Sequence, residues 1–257
     1  MTYVSPHTTR MHVVLHIPHA STHIPDMTGY IKDPNKEIDL LTDHATDKLF
    51  YYPYATVVKA EFSRVFCDVE RLPDAEEPMF KQGMGYFYTH CDDGSLLRED
   101  ADHIKEKIYW DYYLPHHEKL QEATKPGLEN STILFDCHSF SDVPFQRDTN
   151  KQTPRPDICI GTDPWFSVTG TADTLKFLFE KKGYNVYSNA PYSGTIVPLN
   201  RTNLTERDWT LTSYMIEVNR KLYMTNGIVD PVRLDTVQND ITEVLIDVID
   251  IICSTRQ

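Results

Sequence analysis

The sequence predicts an α/β fold with a mixed, mostly parallel sheet and helices on both faces. Short apolar runs rich in Val and Ile alternate along the chain with segments of helical periodicity, a pattern typical of βαβ units. Several of the runs contain few polar residues, as expected for strands that are buried on both faces. With 257 residues the chain can bury a full core, so we expect residues 1–257 to form a single domain.

The individual elements follow from apolar runs and helical periodicity. Strands are predicted at 11–17, 55–61, 131–137, 157–161, 184–188 and 213–218. Helices are predicted at about 36–51, 101–124, 171–182 and 236–252. In the third helix Thr171 can cap the start, and Gly183 follows two lysines at the end.

Two loop segments interrupt this alternation. Residues from about 72 to 100 contain prolines, glycines and acids without periodicity. An irregular segment of that length is typical of a functional lid or a disordered insertion, so we expect a long loop insertion that can close over a site. A second polar stretch, 142–156, carries Arg147 and Arg155.

Composition excludes some classes of partner. The chain has 25 basic and 38 acidic residues and a net charge of −13, which argues against nucleic acid but not against a small anionic substrate bound by local arginines.

The five cysteines are an odd number, and three lie in strand-like runs, which favours a reduced, cytoplasmic protein. The N-terminus lacks a secretory pattern and no apolar run is long enough to span a bilayer. No feature predicts an oligomeric state.

Several predicted strands end in residues that are costly to bury unless they bind something. The run at 133–135 ends in Asp136 and His138, and the run at 11–17 opens through Pro18 into His19. Glu217 lies among the apolar residues of a third strand. Because ligands of open α/β sheets bind beyond the carboxyl ends of the strands, these residues predict one shared site, and imidazole with carboxylate predicts a metal ion.

His19 and His138 are the leading metal ligands, and a catalytic zinc site requires a third. Two sources remain open. One is an acidic row four residues apart on the helix at 36–51, formed by Asp39, Asp43 and Asp47. The other is His23, four residues beyond His19. The acidic row can equally be a solvated helix face.

Asp136 lies two residues before His138 and so on the same side of the strand, where it can accept a hydrogen bond from the imidazole and orient it. Cys137 points to the opposite face, which favours a core role over a nucleophilic one. Burial would raise the pKa of Glu217 and suit it as a general base; its alternative is a buried ion pair with Arg220 or another arginine.

Arginines and a glycine turn are candidates for substrate binding. Arg64 and Arg71 follow the second strand, and guanidinium groups bind carboxylates in pairs of hydrogen bonds. They can also form a local lattice with Asp68 and Glu70. Arg147 and the turn at Gly194 are further candidates, the latter as a close backbone approach to a ligand.

Seven blocks of residues, taken in order, resemble the N-formylglutamate amidohydrolases, and the resemblance runs from about residue 11 to 250. The blocks are Ile17-Pro-His-Ala-Ser21, Thr42-Asp43, Ser63-Arg64 with Asp68 and Arg71, Asp136-Cys-His-Ser139, Pro156–Asp163, Asn189–Gly194 and Ile216–Met224.

The resemblance implies an α/β fold related to the zinc carboxypeptidases and one Zn²⁺ per chain. It implies cleavage of N-formyl-L-glutamate to formate and glutamate at the end of histidine breakdown. His19 and His138 match the metal histidines, Asp43 is indicated as the third ligand, and Glu217 matches the general acid/base. Arg64 and Arg71 match a basic segment used for substrate carboxylates.

Two positions depart from the family pattern. His23 stands where an acid is frequent, and Glu70 stands where Asn is usual, which adds negative charge near an anionic substrate. Two other functions therefore remain open: an amidase for another N-acyl amino acid or a peptidoglycan fragment, and a non-catalytic metal or amino-acid binding protein.

Overall fold

The computed structural model describes residues 11–73, 76–125, 131–201 and 210–255. Six strands form the main sheet: β1 (Met11–Ile17), β2 (Thr56–Lys59), β3 (Ser131–Phe140), β4 (Ile158–Thr162), β5 (Val186–Ser188) and β6 (Leu211–Asn219). Their spatial order is β2-β1-β3-β6-β4-β5. Neighbouring strands are parallel except for β4 and β6, which are antiparallel. The predicted mixed, mostly parallel sheet is confirmed.

The helices are α1 (Asn35–Leu41), α2 (Thr46–Leu49), α3 (Asp102–Ile108), α4 (Leu114–Ala123), α5 (Thr169–Lys181) and α6 (Pro231–Thr255). A π-helical turn, Tyr109–Tyr113, joins α3 to α4, so the predicted helix at 101–124 is essentially continuous. A small hairpin of β7 (Met224–Thr225) and β8 (Ile228–Val229) precedes α6. Its turn has Asn226 and Gly227 at positive φ, as tight hairpin turns require.

Helices cover both faces of the sheet, as predicted. Alternate side chains of β1, including Val13 and Leu15, pack in one core with residues of α2, α5 and α6. Val14, between them, packs on the other face with Leu120 of α4. The functional residues of β3 lie on this second face, because Leu134 belongs to the α4 side and precedes Asp136 by two residues.

Three of the predicted helices have different boundaries in the structure, and the last of them begins at Pro231 rather than at 236. The helix at 36–51 is broken into α1 and α2, and Ala45 between them has φ of 61°, a left-handed conformation that interrupts a helix. Asp39 and Asp47 are exposed whereas Asp43 is buried, so the expected row on one face does not exist. The third predicted helix begins at Thr169 rather than at Thr171, and Val168 is its N-cap. Gly183 follows the end of this helix with φ of +92°, as expected.

Much of the irregular segment at 72–100 is packed into the protein. Tyr88, Leu97 and Arg98 are almost fully buried, and the Arg98 guanidinium lies 3.5 Å from the centre of the Phe87 ring. Residues 74 and 75 lie outside the described part of the chain. The segment contributes Met79, Met84 and Tyr88 to the wall of the main cavity. Among the described residues, none of the helices is both long and apolar enough to cross a bilayer.

Candidate metal centre and active site

The register of the sheet brings the predicted residues together. On β3, Asp136 is paired with His16 of β1, and His138 is paired with Glu217 of β6. Side chains of paired residues lie side by side on one face. The strand prediction ended β3 at residue 137, but the strand continues to Phe140, so Asp136 and His138 lie within the strand and not beyond its end.

Three side chains form a group that can hold a metal ion: His19, Asp43 and His138. All three are buried. Asp43 Oδ2 lies 3.6 Å from His19 Nδ1 and 3.1 Å from His138 Nδ1. Tetrahedral zinc with bonds of about 2.0–2.2 Å holds its ligand atoms roughly 3.4 Å apart. His19 Nδ1 is buried without a hydrogen-bond partner, as expected for an atom that binds a metal, so the residues fit Zn²⁺.

The second ring nitrogen of each histidine contacts a buried carboxylate. His138 Nε2 is 3.0 Å from Asp136 Oδ1, as the strand alternation predicted. His19 Nε2 is 2.8 Å from Asp68 Oδ1. Carboxylates in this position fix the tautomer and orientation of a metal-bound imidazole. Both Nδ1 atoms are thereby directed towards Asp43.

Asp68 is a further residue of the site, and the sequence did not indicate its contact with His19. Its carboxylate also accepts hydrogen bonds from the Tyr88 hydroxyl at 2.6 Å and from the Arg64 guanidinium at 2.9 and 3.2 Å. Burial alone would raise the pKa of Asp68, but the charge of Arg64 and the contact with His19 hold that pKa well below its usual range. Asp68 is therefore a charged acceptor for His19.

Asp43 lies in the break between α1 and α2, where the backbone directs it to the sheet. Its carboxylate accepts hydrogen bonds from the Ser139 amide at 3.2 Å and from Arg220 at 3.0 Å. Although burial would raise the pKa of Asp43, the hydrogen bond with His138 and the nearby charges of His19 and Arg220 hold it well below its usual range. Arg220 thus pairs with Asp43 rather than forming the ion pair with Glu217 that we considered.

Glu217 lies beside His138 and is buried, with Oε2 lacking a hydrogen-bond partner. Burial raises the pKa of Glu217 to about 8, while the nearby charge of His138 opposes this rise. A carboxylate with a raised pKa and a free oxygen next to a metal group is suited to proton transfer near neutral pH.

A cavity of about 440 Å³ opens over these residues, a volume typical of small-molecule sites. Its lining includes the three residues of the metal group, Glu217 and four arginines, Arg64, Arg71, Arg147 and Arg220. Arg147 Nη1 and Arg71 Nε are buried without a hydrogen-bond partner. Arg64, by contrast, donates twice to Asp68, so the local lattice that we considered exists for Arg64 and Asp68. Arg71 belongs to the same lattice, because its Nε lies 3.7 Å from Asp68 Oδ2 and its Nη1 lies 3.5 Å from Glu77 Oε1.

The turn at Gly194 forms another part of the cavity wall. Gly194 has φ of +91°, which favours glycine. Its carbonyl oxygen would lie 2.2 Å from a Cβ at Gly161, so the turn packs closely on β4. Two residues later, the Ile196 amide donates to Asp136 Oδ2 at 3.0 Å. The turn therefore also positions Asp136.

The structure does not bring every candidate to the site. His23 is exposed and is not part of the cavity lining, and Asp39 and Asp47 point away from the buried group. Cys137 lies in the core on the opposite face, with its thiol donating to the Phe135 carbonyl. Arg220 was considered only as an ion-pair partner of Glu217, and its contact with Asp43 depends on the break between the helices.

A second polar group lies next to the first. His16, Glu70 and Asp136 also offer ligand atoms within 4.8 Å of one another, and His16 Nε2 is 2.8 Å from His116 Nε2 on α4. Burial would lower the pKa of His16, but the hydrogen bond with Asp136 and the negative charges of Glu70 and Asp136 raise it to about 9. Burial and the neighbouring His16 lower the pKa of His116.

Comparison with known proteins gives a consistent result. A family model described as N-formylglutamate amidohydrolase matches residues 11–224. An N-formylglutamate amidohydrolase from Ralstonia eutropha JMP134 has a similar structure, with a TM-score of 0.77, 23% identity, and coverage of 93% of this chain and 92% of that one. A protein from Agrobacterium tumefaciens has a TM-score of 0.68, 19% identity, and coverage of 93% and 91%. At these identities the two structures support the fold. No curated protein matches the chain.

Proposed function

Because the chain belongs to the N-formylglutamate amidohydrolase family, we propose that it is a zinc-dependent hydrolase that cleaves the amide of N-formyl-L-glutamate, or of a similar N-acyl acidic amino acid. The products are formate and glutamate. One observation carries the proposal: the metal group of His19, Asp43 and His138 lies in one cavity with Glu217, the strand neighbour of His138.

Zn²⁺ bound by His19, Asp43 and His138 would supply Lewis acidity and lower the pKa of bound water to about 7. Glu217 would take the proton from the attacking water through its unpartnered oxygen. It would then deliver this proton to the nitrogen of the leaving glutamate. Asp68 and Asp136 would hold the imidazoles in the orientation that this geometry needs.

The unpartnered arginine atoms support an acidic substrate. A chain with net charge −13 repels a dianion at long range, so recognition depends on guanidinium groups near the metal. Arg71 and Arg147 line the cavity and retain buried atoms without hydrogen bonds. We assign the substrate carboxylates to these two residues, with Arg64 acting mainly through Asp68.

We place the reaction at the end of histidine breakdown, in the cytoplasm. The family supports the pathway, and the five cysteines support a reducing compartment, because all of them are buried thiols.

The test is formate release from N-formylglutamate by the purified protein, together with elemental analysis. We expect one tightly bound zinc ion in the proposed site and rapid formate release. His19→Ala and His138→Ala should each remove that metal ion and abolish turnover, while His23→Ala, at an exposed position, should change neither. Full metal occupancy in the first two variants would refute the ligand assignment.

Glu70 favours a second candidate, an amidase for another N-acyl amino acid. Its carboxylate lines the same cavity as Arg71 and reduces the local positive potential that a dicarboxylate needs. Parallel assays of N-formylglutamate, N-formylglutamine and N-acetylglutamate distinguish the two. A preference for the neutral amide would support this candidate and leave the metal chemistry unchanged.

A further inference from the structure

The second polar group, His16, Glu70 and Asp136, is not used by the proposed mechanism except through Asp136. His16 is fully buried on β1 and is paired in the sheet with Asp136. His16 Nδ1 lies 2.9 Å from Asp136 Oδ1 and 3.1 Å from Glu70 Oε1. One nitrogen and two carboxylate oxygens therefore converge on a small volume beside the main cavity.

A single proton does not satisfy this arrangement. The Nδ1–H of His16 can point well at one of the two oxygens, and Glu70 Oε1 is buried without a hydrogen bond. A buried acceptor left without a hydrogen bond destabilises the folded protein, because it has lost its bonds to water. Without any cation, the Nδ1 lone pair would face two negative oxygens. The group therefore requires positive charge. One proton on His16 Nδ1 can bond only one of the two carboxylate oxygens.

A divalent cation fits the charge and the spacing. Two carboxylates and a neutral imidazole carry two negative charges, which a divalent ion neutralises. Bonds of about 2.1 Å at right angles separate ligand atoms by about 3.0 Å, and the separations from His16 Nδ1 are 2.9 and 3.1 Å. Glu70 and Asp136 also line the main cavity, which provides an entry path and room for water ligands.

We propose that His16, Glu70 and Asp136 bind a second divalent cation with octahedral preference, such as Mn²⁺. The new site adjoins the first because Asp136 Oδ1 also contacts His138 Nε2 at 3.0 Å. Binding displaces the proton from His16 Nδ1, so affinity falls as the pH decreases. His16 Nε2 keeps its contact with His116.

The experiment is a titration of the full-length, metal-depleted protein with Co²⁺, followed by visible spectroscopy and elemental analysis. The wild-type protein should bind two equivalents. Glu70→Gln should bind one, with the intense absorption of a tetrahedral site, and His19→Ala should bind one, with the weak absorption of an octahedral site. Glu61→Gln, at an exposed position, is the matched control and should bind two. Circular dichroism verifies folding.

Binding of a single equivalent by the wild-type protein would overturn the proposal. In that case the ¹⁵N shifts of His16 should be those of an imidazolium, which identifies the group as a charged hydrogen-bond network. Two equivalents in both the wild-type protein and Glu70→Gln would also overturn it, because the second ion would then lie elsewhere.

Discussion

Replacing Asp68 with Asn tests whether this carboxylate sets the orientation of the metal site. Asp68 has no solvent exposure and contacts His19, Arg64 and Tyr88 at 2.6–3.2 Å. The substitution keeps the shape of the side chain but removes its charge, leaving the Arg64 guanidinium without its main counter-charge. It also presents an amide where His19 Nε2 needs an acceptor.

The substitution should lower both the folding stability of the protein and its affinity for the metal ion. Leaving a buried charge without its partner costs about 3–5 kcal/mol, and since asparagine keeps one acceptor oxygen we expect about 3 kcal/mol. For a protein of this size that lowers Tm by roughly 6–12 °C. Loss of a carboxylate behind a metal-bound histidine weakens metal binding by about 10–100-fold.

The assays are thermal unfolding of the metal-free protein and a competitive zinc titration with a chromophoric chelator. Asp39→Asn is the matched control, because Asp39 is exposed on α1 and its substitution should change neither quantity. The pKa of Asp68 is depressed in the folded state, so its stabilising contribution is present above the unfolded pKa of about 3.9. The difference in stability between wild type and variant should therefore shrink as the pH falls through the folded pKa.

A Tm within about 2 °C of wild type and a zinc Kd within about threefold would refute this reasoning. Asp68 would then be one of several interchangeable acceptors, and the orientation of His19 would have to come from the backbone at Pro18. A loss of stability with unchanged zinc affinity would restrict the role of Asp68 to pairing with Arg64.

The remaining predictions concern the chemistry. Glu217→Gln should retain zinc and lower kcat by at least about 10²-fold in the formate-release assay; turnover at the parent rate would move the acid/base role elsewhere. In the metal-free protein, the Glu217 carboxyl should titrate near pH 8 by ¹³C NMR, protonated below and charged above, and a bound cation should lower that value. Arg71→Lys should reduce kcat/KM for N-formylglutamate by roughly tenfold, about 1.4 kcal/mol, and hardly change it for N-formylglutamine; equal losses would indicate a structural arginine. Cys137→Ala should lower Tm but leave kcat within about twofold, because the thiol faces the core; a large loss of kcat would contradict this.

The sequence predicted the sheet well because buried strands consist largely of consecutive apolar residues, which are visible in the sequence. β1 has the predicted bounds, and the alternation of Asp136, Cys137 and His138 between two faces is as expected. The end of β3 was misplaced for a physical reason. A run of buried polar residues normally ends a strand, but here Asp136, His138 and Ser139 are satisfied by partners from distant segments, which local patterning does not reveal.

The break between α1 and α2 could not be predicted from the sequence. The segment from 42 to 46 contains neither glycine nor proline, and the periodicity of its aspartates continues the helical pattern. In the structure Ala45 adopts positive φ, a conformation that costs an L-residue roughly 1–2 kcal/mol. Contacts of Asp43 with Ser139 and Arg220 offset that cost. A helix-breaking conformation maintained by tertiary contacts gives no local signal.

The sheet register explains why the two polar groups depend on each other. Asp136 stands opposite His16 on one neighbouring strand, while His138 stands opposite Glu217 on the other. A slip of β3 by one residue would reverse its faces, placing Cys137 towards α4 and burying both Asp136 and His138 against Leu15 of β1 and Tyr214 and Ile216 of β6. That state would leave a carboxylate and an imidazole in an apolar core without partners, at a cost of several kcal/mol each. The polar residues that perform the proposed chemistry therefore also select the register, so substitutions that make β3 wholly apolar should weaken strand specificity along with activity.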